Sequence, residues 1–250
     1  MLDVQAYLRR IDYHGPLDPT AATLRALHRA HMLAVPFENL DIHGGRPLVL
    51  DEAGLFDKIV RRRRGGFCYE MNGLFAALLR ALHFDVTMLA AAVPDEEGGL
   101  GPEFDHLTLL VQLEERWLAD VGFGRSFVEP ERLDEPGEQY QDGDVYRIQR
   151  DGARWTVLWR GDDGAWQQQY TFTRQPRQLQ DFMHECHVKQ KSPFWTGRRV
   201  CSRATPEGRI TVSNMKLIVT TRGEQQERLL ADEEELAATL RERFGIELPA

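Results

Sequence analysis

The sequence of 250 residues predicts an α+β fold, because two regions of different patterning follow one another along the chain. Apolar residues recur at helical spacing over residues 1–85. From residue 86 to about 175, apolar and polar residues alternate in short runs divided by turn-forming residues, which is typical of strands. A further helix is expected from Pro176 to about Lys189, and residues 196–250 mix short strands with one final helix. Helices and strands are therefore expected in separate parts of the molecule.

Four stretches make up the predicted helical region. Leu2–Ile11 shows near-helical apolar spacing. Asp18 and Pro19 are a favourable cap and first residue for a second helix. Asp51 is expected to cap a third helix. A fourth helix begins near Cys68, and its apolar face consists of Leu74, Phe75, Leu78, Leu79 and Leu82.

The strands and late helices are predicted as follows. Strands are expected at Val86–Ala92, His106–Leu113, Trp117–Phe123, Asp144–Gln149, Trp155–Trp159 and Trp166–Phe172, and later at Arg209–Val212 and Lys216–Thr220. Pro176 is expected to start a helix that continues to about Lys189. The last helix is predicted over Asp232–Phe244, with Gly245 as its stop.

A glycine turn places a cysteine at the start of the fourth helix. Gly65 and Gly66 are followed by Phe67 and Cys68, and the apolar-periodic run comes next. The first turn of a helix has unpaired N–H groups and a partial positive charge, so it favours an anion such as a thiolate. Cys68 is therefore a candidate nucleophile, although a lone cysteine also fits the role of a small buried hydrophobe.

A predicted hairpin supplies the groups that a cysteine nucleophile requires, a base and a residue that orients it. His106 lies on the outgoing strand and Asp120 on the returning strand. Side chains alternate between the two faces of a strand, so a two-residue loop at Glu114–Glu115 would put them on opposite faces. We predict a three-residue loop or a bulge, which puts both on one face. Read alone, His106 also fits a core histidine and Asp120 a cap or turn residue.

Four motifs in register resemble the arylamine N-acetyltransferase family. They are the string RGGFCYE over residues 64–70, the histidine that opens the strand HLTLLV, the strand WLADVGFG over residues 117–124 and the string PFENL over residues 36–40. Their order and spacing agree over residues 1–125. The resemblance implies an N-terminal helical bundle over residues 1–85, a central β-barrel over 86–190 and a C-terminal α/β lid over 191–250.

The resemblance also implies a cysteine-protease-like triad of Cys68, His106 and Asp120. In such an enzyme the thiolate takes the acetyl group from acetyl-CoA, and an arylamine or hydrazine then removes it, which is a ping-pong sequence. His106 holds the thiolate as an ion pair, and Asp120 orients the imidazole. The backbone N–H of Cys68 is the expected oxyanion donor.

Supporting residues follow from the same resemblance. Arg64 and Glu38 are expected to form a buried pair that ties the Cys68 loop to the preceding segment. Phe37 and Phe123 resemble walls of an aromatic-amine pocket, although core packing explains them as well. Gly124, like Gly122, is expected to let backbone approach a ligand, and an edge bulge is the alternative.

Composition excludes several classes of protein. The net charge of −8 argues against a nucleic-acid binder. No apolar run reaches the length of about 18 residues that a membrane span requires. The N-terminus lacks a signal-peptide pattern, and the odd count of three cysteines suggests a reducing compartment, so we expect a cytoplasmic protein. CoA is polyanionic, and its candidate basic contacts are Arg198, Arg199, Arg203 and Lys216, which also fit a solvated surface.

Several alternatives stay open at the level of sequence. His184 and His187 share a helical face, but the family uses no metal and zinc requires four ligands, so no metal is expected. The segment Lys191–Thr196 departs from the serine-proline-aromatic pattern that relatives carry near CoA, which leaves the acyl donor open. The same triad would serve an amide synthase of biosynthesis or a transglutaminase-like or papain-like hydrolase. A binding module with a decayed site is disfavoured because all three triad residues are present.

Overall fold

Helices occupy the first third of the chain in the computed structural model, which describes residues 2–95, 98–161 and 164–248. They are α1 (Val4–Arg10), α2 (Ala21–Ala34), α3 (Leu40–His43), α4 (Glu52–Phe56) and α5 (Cys68–Ala81). A π-helical turn, Asp57–Arg61, extends α4, and the short strand β1 (Phe37–Glu38) lies between α2 and α3. The predicted helical region is therefore interrupted by one strand.

Side-chain caps explain where these helices begin. The predicted cap of α2 is wrong: Thr20, and not Asp18, accepts the hydrogen bond from Thr23 N, at 3.2 Å, and the helix starts at Ala21. Asp51 caps α4 as predicted, since its Oδ1 accepts from Gly54 N at 2.9 Å. Asp18 and Thr20 are both residue types that cap helices well, so the sequence alone does not distinguish them.

An eight-stranded antiparallel sheet follows the helices. Its strands are β2 (Asp85–Ala92), β3 (His106–Gln112), β4 (Arg116–Ala119), β5 (Glu131–Arg132), β6 (Gln139–Gln141), β7 (Asp144–Asp151), β8 (Arg154–Arg160) and β9 (Trp166–Arg177). Their spatial order is β5-β4-β3-β2-β9-β8-β7-β6. The Gln139 side chain bonds to both backbone groups of Arg132, at 2.8 and 3.0 Å, and so links the two edge strands. The sheet is thus nearly closed and barrel-like.

The predicted helix start at Pro176 is wrong. Pro176 lies inside β9, where it pairs with Leu89 of β2 next to a register shift. The pairing of β9 with β8 ends at Thr173, so Pro176 has a strand on one side only, which is a position where proline is tolerated. A 3-10 turn, Leu179–Phe182, leads instead into α6 (Met183–Lys191).

A second sheet is built mainly from the last quarter of the chain. Its later strands are β10 (Val200–Thr205), β11 (Gly208–Ser213), β12 (Lys216–Thr221) and β13 (Glu224–Leu229), with α7 (Pro193–Thr196) before them and α8 (Glu233–Phe244) after them. The order is β1-β10-β11-β12-β13, so β1 is an edge strand of this sheet. Gly245 ends α8 with φ +67, as predicted. The sequence patterns did not indicate β1, β10 or β13.

The interior comprises three apolar clusters. One surrounds α5 and includes residues of β2, β3 and β4, one lies inside the barrel-like sheet, and one includes the buried face of α8. The domain boundaries at residues 85 and 190 stay predictions, and the pairing of β1 with β10 crosses both of them. No helix in the described part of the chain combines the length and the apolarity that crossing a bilayer requires.

Candidate active site

The two glycines before Cys68 are required for close packing. A Cβ atom at Gly65 would lie 1.9 Å from the carbonyl oxygen of Pro36, and one at Gly66 would lie 2.8 Å from Glu70. Glu70 also accepts a hydrogen bond from Phe67 N at 3.1 Å, which satisfies a free donor at the start of α5. These contacts fix Cys68 as the first residue of the helix, with 7 % of its surface exposed.

The β3–β4 hairpin has the predicted three-residue loop. Gln112 pairs with Arg116, so residues 113–115 form the connection. This register puts His106 and Asp120 on one face, because position 120 continues the pairing opposite position 108. His106 Nε2 lies 2.6 Å from Asp120 Oδ2, and both side chains are buried. The three-residue loop therefore allows an imidazole–carboxylate pair between residues 14 apart.

The Asp120 carboxylate accepts three hydrogen bonds. Besides His106, Asn72 Nδ2 donates to Oδ1 at 2.8 Å and Gly122 N donates to Oδ1 at 2.9 Å. Burial raises the pKa of Asp120, but the His106 charge and these hydrogen bonds outweigh it and hold that pKa below its ordinary value. The buried carboxylate is thus kept ionised.

His106 lies between that carboxylate and the Cys68 thiol. Burial lowers the pKa of His106, yet the charge and hydrogen bond of Asp120, together with a hydrogen bond to Cys68, raise it overall to about 10. Because Nε2 bonds to Asp120, Nδ1 is the ring nitrogen that is left to face the sulfur. An imidazolium in that position favours a neighbouring thiolate.

Two residues of this arrangement escaped the sequence analysis. Asn72 lies four residues after Cys68 on the same face of α5, and its Oδ1 also accepts from Val121 N at 2.9 Å. His28 of α2 accepts from Asp120 N at 3.1 Å through Nε2. Burial lowers the pKa of His28 to about 4, so it stays neutral and can accept. The i+4 spacing from Cys68 was the only signal for Asn72, and His28 had none.

Aromatic rings surround the imidazole. The ring centroids of Phe123 and Tyr170 lie 5.2 and 5.0 Å from that of His106. Phe37 packs beside Gly124, where a Cβ atom would lie 3.7 Å from the Phe37 ring. Gly124 has φ +85, a conformation that favours glycine. Phe123 thus lies directly against His106, and Phe37 lies beside the next residue along the chain.

Gly122 lies against the backbone of Cys68. A Cβ atom there would lie 2.8 Å from Cys68 Cα and 2.9 Å from Cys68 O. Gly122 therefore makes room for the backbone of α5, and its approach to a ligand stays a prediction.

A buried ionic cluster lies behind the Cys68 loop. Arg64 Nη2 lies 2.7 Å from Glu38 Oε1, and Arg64 Nη1 lies 3.2 Å from Asp41 Oδ1. Lys58 Nζ lies 2.8 Å from both Asp41 and Glu70. The predicted pair of Arg64 and Glu38 is thus part of a larger network, and Glu70 links that network to the first turn of α5.

The candidate basic contacts for CoA do not form one free patch. Arg199 forms two hydrogen bonds with Glu233, at 2.6 and 2.7 Å, and Lys216 lies 2.7 Å from Glu227. Arg203 Nη2 donates to the backbone of Arg243 at 2.9 Å. Arg198 lies over the Phe194 ring, with 4.6 Å to the centroid. Two of the four candidates are therefore neutralised by carboxylates.

The divergent segment Lys191–Thr196 lies near the Cys68 loop. Its Trp195 ring packs edge-on against Phe67, with centroids 6.1 Å apart. Asn39 Nδ2 donates to Trp195 O at 3.0 Å. Within the ranges that the structure describes, His, Cys, Asp and Glu side chains form no group of three or more that could hold a metal ion.

Comparison with known proteins places this chain in a family. A family model described as N-acetyltransferase matches residues 20–250. An arylamine N-acetyltransferase / N-hydroxyarylamine O-acetyltransferase of Salmonella typhimurium is 34 % identical over 250 residues, which cover 97 % of this chain and 88 % of the relative. Proansamycin X synthase of Amycolatopsis mediterranei is 31 % identical over 248 residues, covering 95 % of each chain.

A solved structure agrees over nearly the whole chain. The arylamine N-acetyltransferase of Mycobacterium marinum in complex with CoA superposes with a TM-score of 0.91 at 32 % identity, covering 98 % of this chain and 93 % of that one. The matched fold, the full-length sequence identity and the family model agree with one another. This chain belongs to the arylamine N-acetyltransferase family, and it is an acyltransferase.

Proposed function

We propose that this acyltransferase moves an acetyl group from acetyl-CoA to an arylamine, arylhydrazine or related amine through an acetyl-Cys68 intermediate. The observation that carries the proposal is the buried chain of contacts from Asp120 through His106 to Cys68. The relative from Mycobacterium marinum was solved with CoA, which supports acetyl-CoA as the co-substrate. The proposed location is the cytoplasm.

The first half-reaction forms the thioester on the enzyme. The Cys68 thiolate attacks the acetyl carbonyl carbon, a sulfur–carbon bond forms, and the bond from that carbon to the CoA sulfur breaks. The His106 imidazolium gives its proton to the departing CoA thiolate. The backbone N–H of Cys68, at the start of α5, is placed to donate to the oxyanion. Asp120 keeps the imidazole in one orientation throughout.

The second half-reaction transfers the acetyl group to the amine. The amine nitrogen attacks the same carbonyl carbon, and the neutral His106 now takes the proton from that nitrogen. The Cys68 thiolate leaves, which restores the ion pair with the imidazolium. Phe37, Phe123 and Gly124 are the proposed contacts of the aromatic acceptor, and Arg64 with Glu38 supports the loop.

A second candidate function is an amide synthase that acts in biosynthesis. It is favoured by the match to proansamycin X synthase, which covers 95 % of both chains. Cys68, His106 and Asp120 would catalyse that reaction as well, with a different acyl donor and amine. A cysteine hydrolase with this triad would use water in place of the amine.

Intact-protein mass spectrometry after mixing with acetyl-CoA tests the proposal. We expect one acetyl group, located on Cys68 by peptide mapping and removed by an added arylamine. Cys186→Ala and Cys201→Ala are matched controls that should keep the adduct, because burial raises the pKa of both thiols. Cys68→Ala should fold and carry no adduct.

Two results would overturn this proposal. An acetyl group that persists in Cys68→Ala would remove the proposed nucleophile. Wild-type protein that forms no adduct but hydrolyses amides would favour the hydrolase.

A further inference from the structure

A cavity lined by arginines lies apart from the Cys68 site. Its volume is about 740 Å³, and it opens between α1, α2 and β10. Arg9, Arg10, Arg63 and Arg203 are among the residues that line it. Cys68, His106 and Asp120 are not among the residues that line it. The proposed acyl-transfer chemistry therefore leaves this cavity without a role.

Arg10 forms the rigid back of the cavity. It is 5 % exposed, and its guanidinium donates to four backbone carbonyls, those of Ala34, Ile59, Arg63 and Arg64. Burial and the positive charge of Arg63 lower the pKa of Arg10 to about 10. The positive charges thus lie close enough to repel one another, and a bound anion would relieve that repulsion.

The other three arginines lack acidic partners. Among the residues that the structure describes, no carboxylate lies within ion-pair distance of Arg9, Arg63 or Arg203. Arg203 Nη2 donates one hydrogen bond to the backbone oxygen of Arg243, while the buried Nε of Arg203 has no hydrogen-bond partner. A buried donor without a partner lowers the stability of a protein, and such donors are rare in native structures.

Acidic groups near the cavity do not cancel this charge. Asp12 is the single carboxylate of the described lining, and it bonds to His14 at 3.0 Å. Arg29 also lines the cavity, but Asp142 at 2.7 Å and Glu129 at 3.5 Å neutralise it. Four unneutralised arginines against one aspartate leave a positive excess, in a chain whose net charge is −8.

The remaining wall is apolar. Ile11, Ala30, Leu33 and Ala34 line it beside the arginines. A volume of about 740 Å³ falls within the range of small-molecule sites. Guanidinium groups match phosphate oxygens in geometry and charge. We propose that this cavity is a second ligand site, which binds a small phosphate-bearing molecule with its phosphates on Arg9, Arg63 and Arg203 and its carbon portion on the apolar wall.

Titration calorimetry of the full-length protein with inorganic pyrophosphate tests the anion part of this site. Arg63→Gln should weaken binding about tenfold, as expected for loss of a charged hydrogen bond. Arg203→Gln should do the same. Arg61→Gln is the matched control, because Arg61 is exposed, stacks over Phe56 and does not line the cavity. It should leave the affinity unchanged.

Arg63→Gln removes an exposed side chain, so it tests the site even where Arg203→Gln impairs folding. Undetectable binding of pyrophosphate to the wild type would overturn the proposal. Equal weakening by Arg61→Gln and Arg63→Gln would overturn it as well, because it would show nonspecific surface attraction.

The phosphates could come from a free anion or from CoA itself. The titration is therefore repeated in the presence of saturating CoA. Unchanged pyrophosphate affinity supports a separate site, whereas competition would show that the cavity is the phosphate site of the co-substrate and would overturn the assignment of a second one. Acyl transfer is not measured, so this result does not depend on the proposed reaction.

Discussion

Asn72 is expected to be as important to the candidate site as the residues that carry the chemistry. Its side chain is fully buried and forms three hydrogen bonds: to Asp120 at 2.8 Å, to Leu107 O at 2.6 Å and from Val121 N at 2.9 Å. Asn72→Ala removes all three. Each buried group left without its partner costs about 1–3 kcal/mol. Leu107 O and Val121 N lose this partner, whereas Asp120 keeps two other donors, so the free energy of unfolding should fall by about 2–6 kcal/mol.

The same substitution should also slow acyl transfer. The Asp120 carboxylate would keep two of its three donors, and its orientation toward His106 would no longer be fixed from the α5 side. Misplacement of a catalytic group by about 1 Å can cost about 100-fold in rate, which is the reduction we expect in the transfer to arylamine.

Urea denaturation followed by circular dichroism measures the stability, and the steady-state rate of arylamine acetylation measures the transfer. Gln112→Ala is the matched control, because Gln112 is an exposed amide on β3 with one hydrogen bond, to Leu113 O. It should change stability by less than about 0.5 kcal/mol. A loss below about 1 kcal/mol in Asn72→Ala, with normal transfer, would refute the reasoning.

Three further perturbations test other parts of the molecule. Because the pKa of His106 is raised to about 10, its positive charge stabilises the fold fully below pH 6.5, and this contribution is lost as pH rises toward 10. The difference in free energy of unfolding between wild type and His106→Gln, measured by urea titration, should therefore shrink across that range, and a constant difference would contradict this. Burial raises the pKa of Glu131 from 4.5 to about 8, so Glu131→Gln should match wild type below pH 4.5 and be more stable by up to about 5 kcal/mol above pH 8. Melting curves that do not diverge with pH would argue against a buried charge. Gly122→Ala should displace Cys68, lower the free energy of unfolding by about 1–3 kcal/mol and remove most of the activity. Gly137→Ala is the control and should change neither, because its Cβ atom would meet only a flexible glutamate at 3.4 Å. A fully active Gly122→Ala would show that the Cys68 backbone can shift without loss of function.

Local patterns predicted the parts of the site that lie within one element or one hairpin. The position of Cys68 at a helix start followed from glycines and apolar periodicity, and the three-residue loop followed from the alternation of faces along β3 and β4. Asn72 and His28 could not be found in this way, because each is defined by contact with Asp120, which is 48 and 92 residues away along the chain. Contacts between residues so far apart cannot be inferred from sequence spacing.

The errors in the fold have a similar origin. Pro176 follows the rule for a helix start, but its place in β9 depends on Leu89 and on the earlier end of β8. Strand β13 is exposed along its whole length, so no alternation of apolar residues marks it. Pairing with strands from other parts of the chain determines the structure at these positions.

Strand β1 determines which parts of the fold can form early during translation. On one side, Glu38 N donates to Gly66 O at 2.9 Å, next to the Cys68 loop; on the other, β1 pairs with β10. The neighbouring Asn39 accepts from Val200 N, 161 residues further along the chain. At a translation rate of about 5–20 residues per second, that partner emerges from the ribosome roughly 10–30 s later. A nascent chain therefore contains Cys68, His106 and Asp120 well before β10 is synthesised, and the packing of β1 behind the Cys68 loop has to wait for that strand.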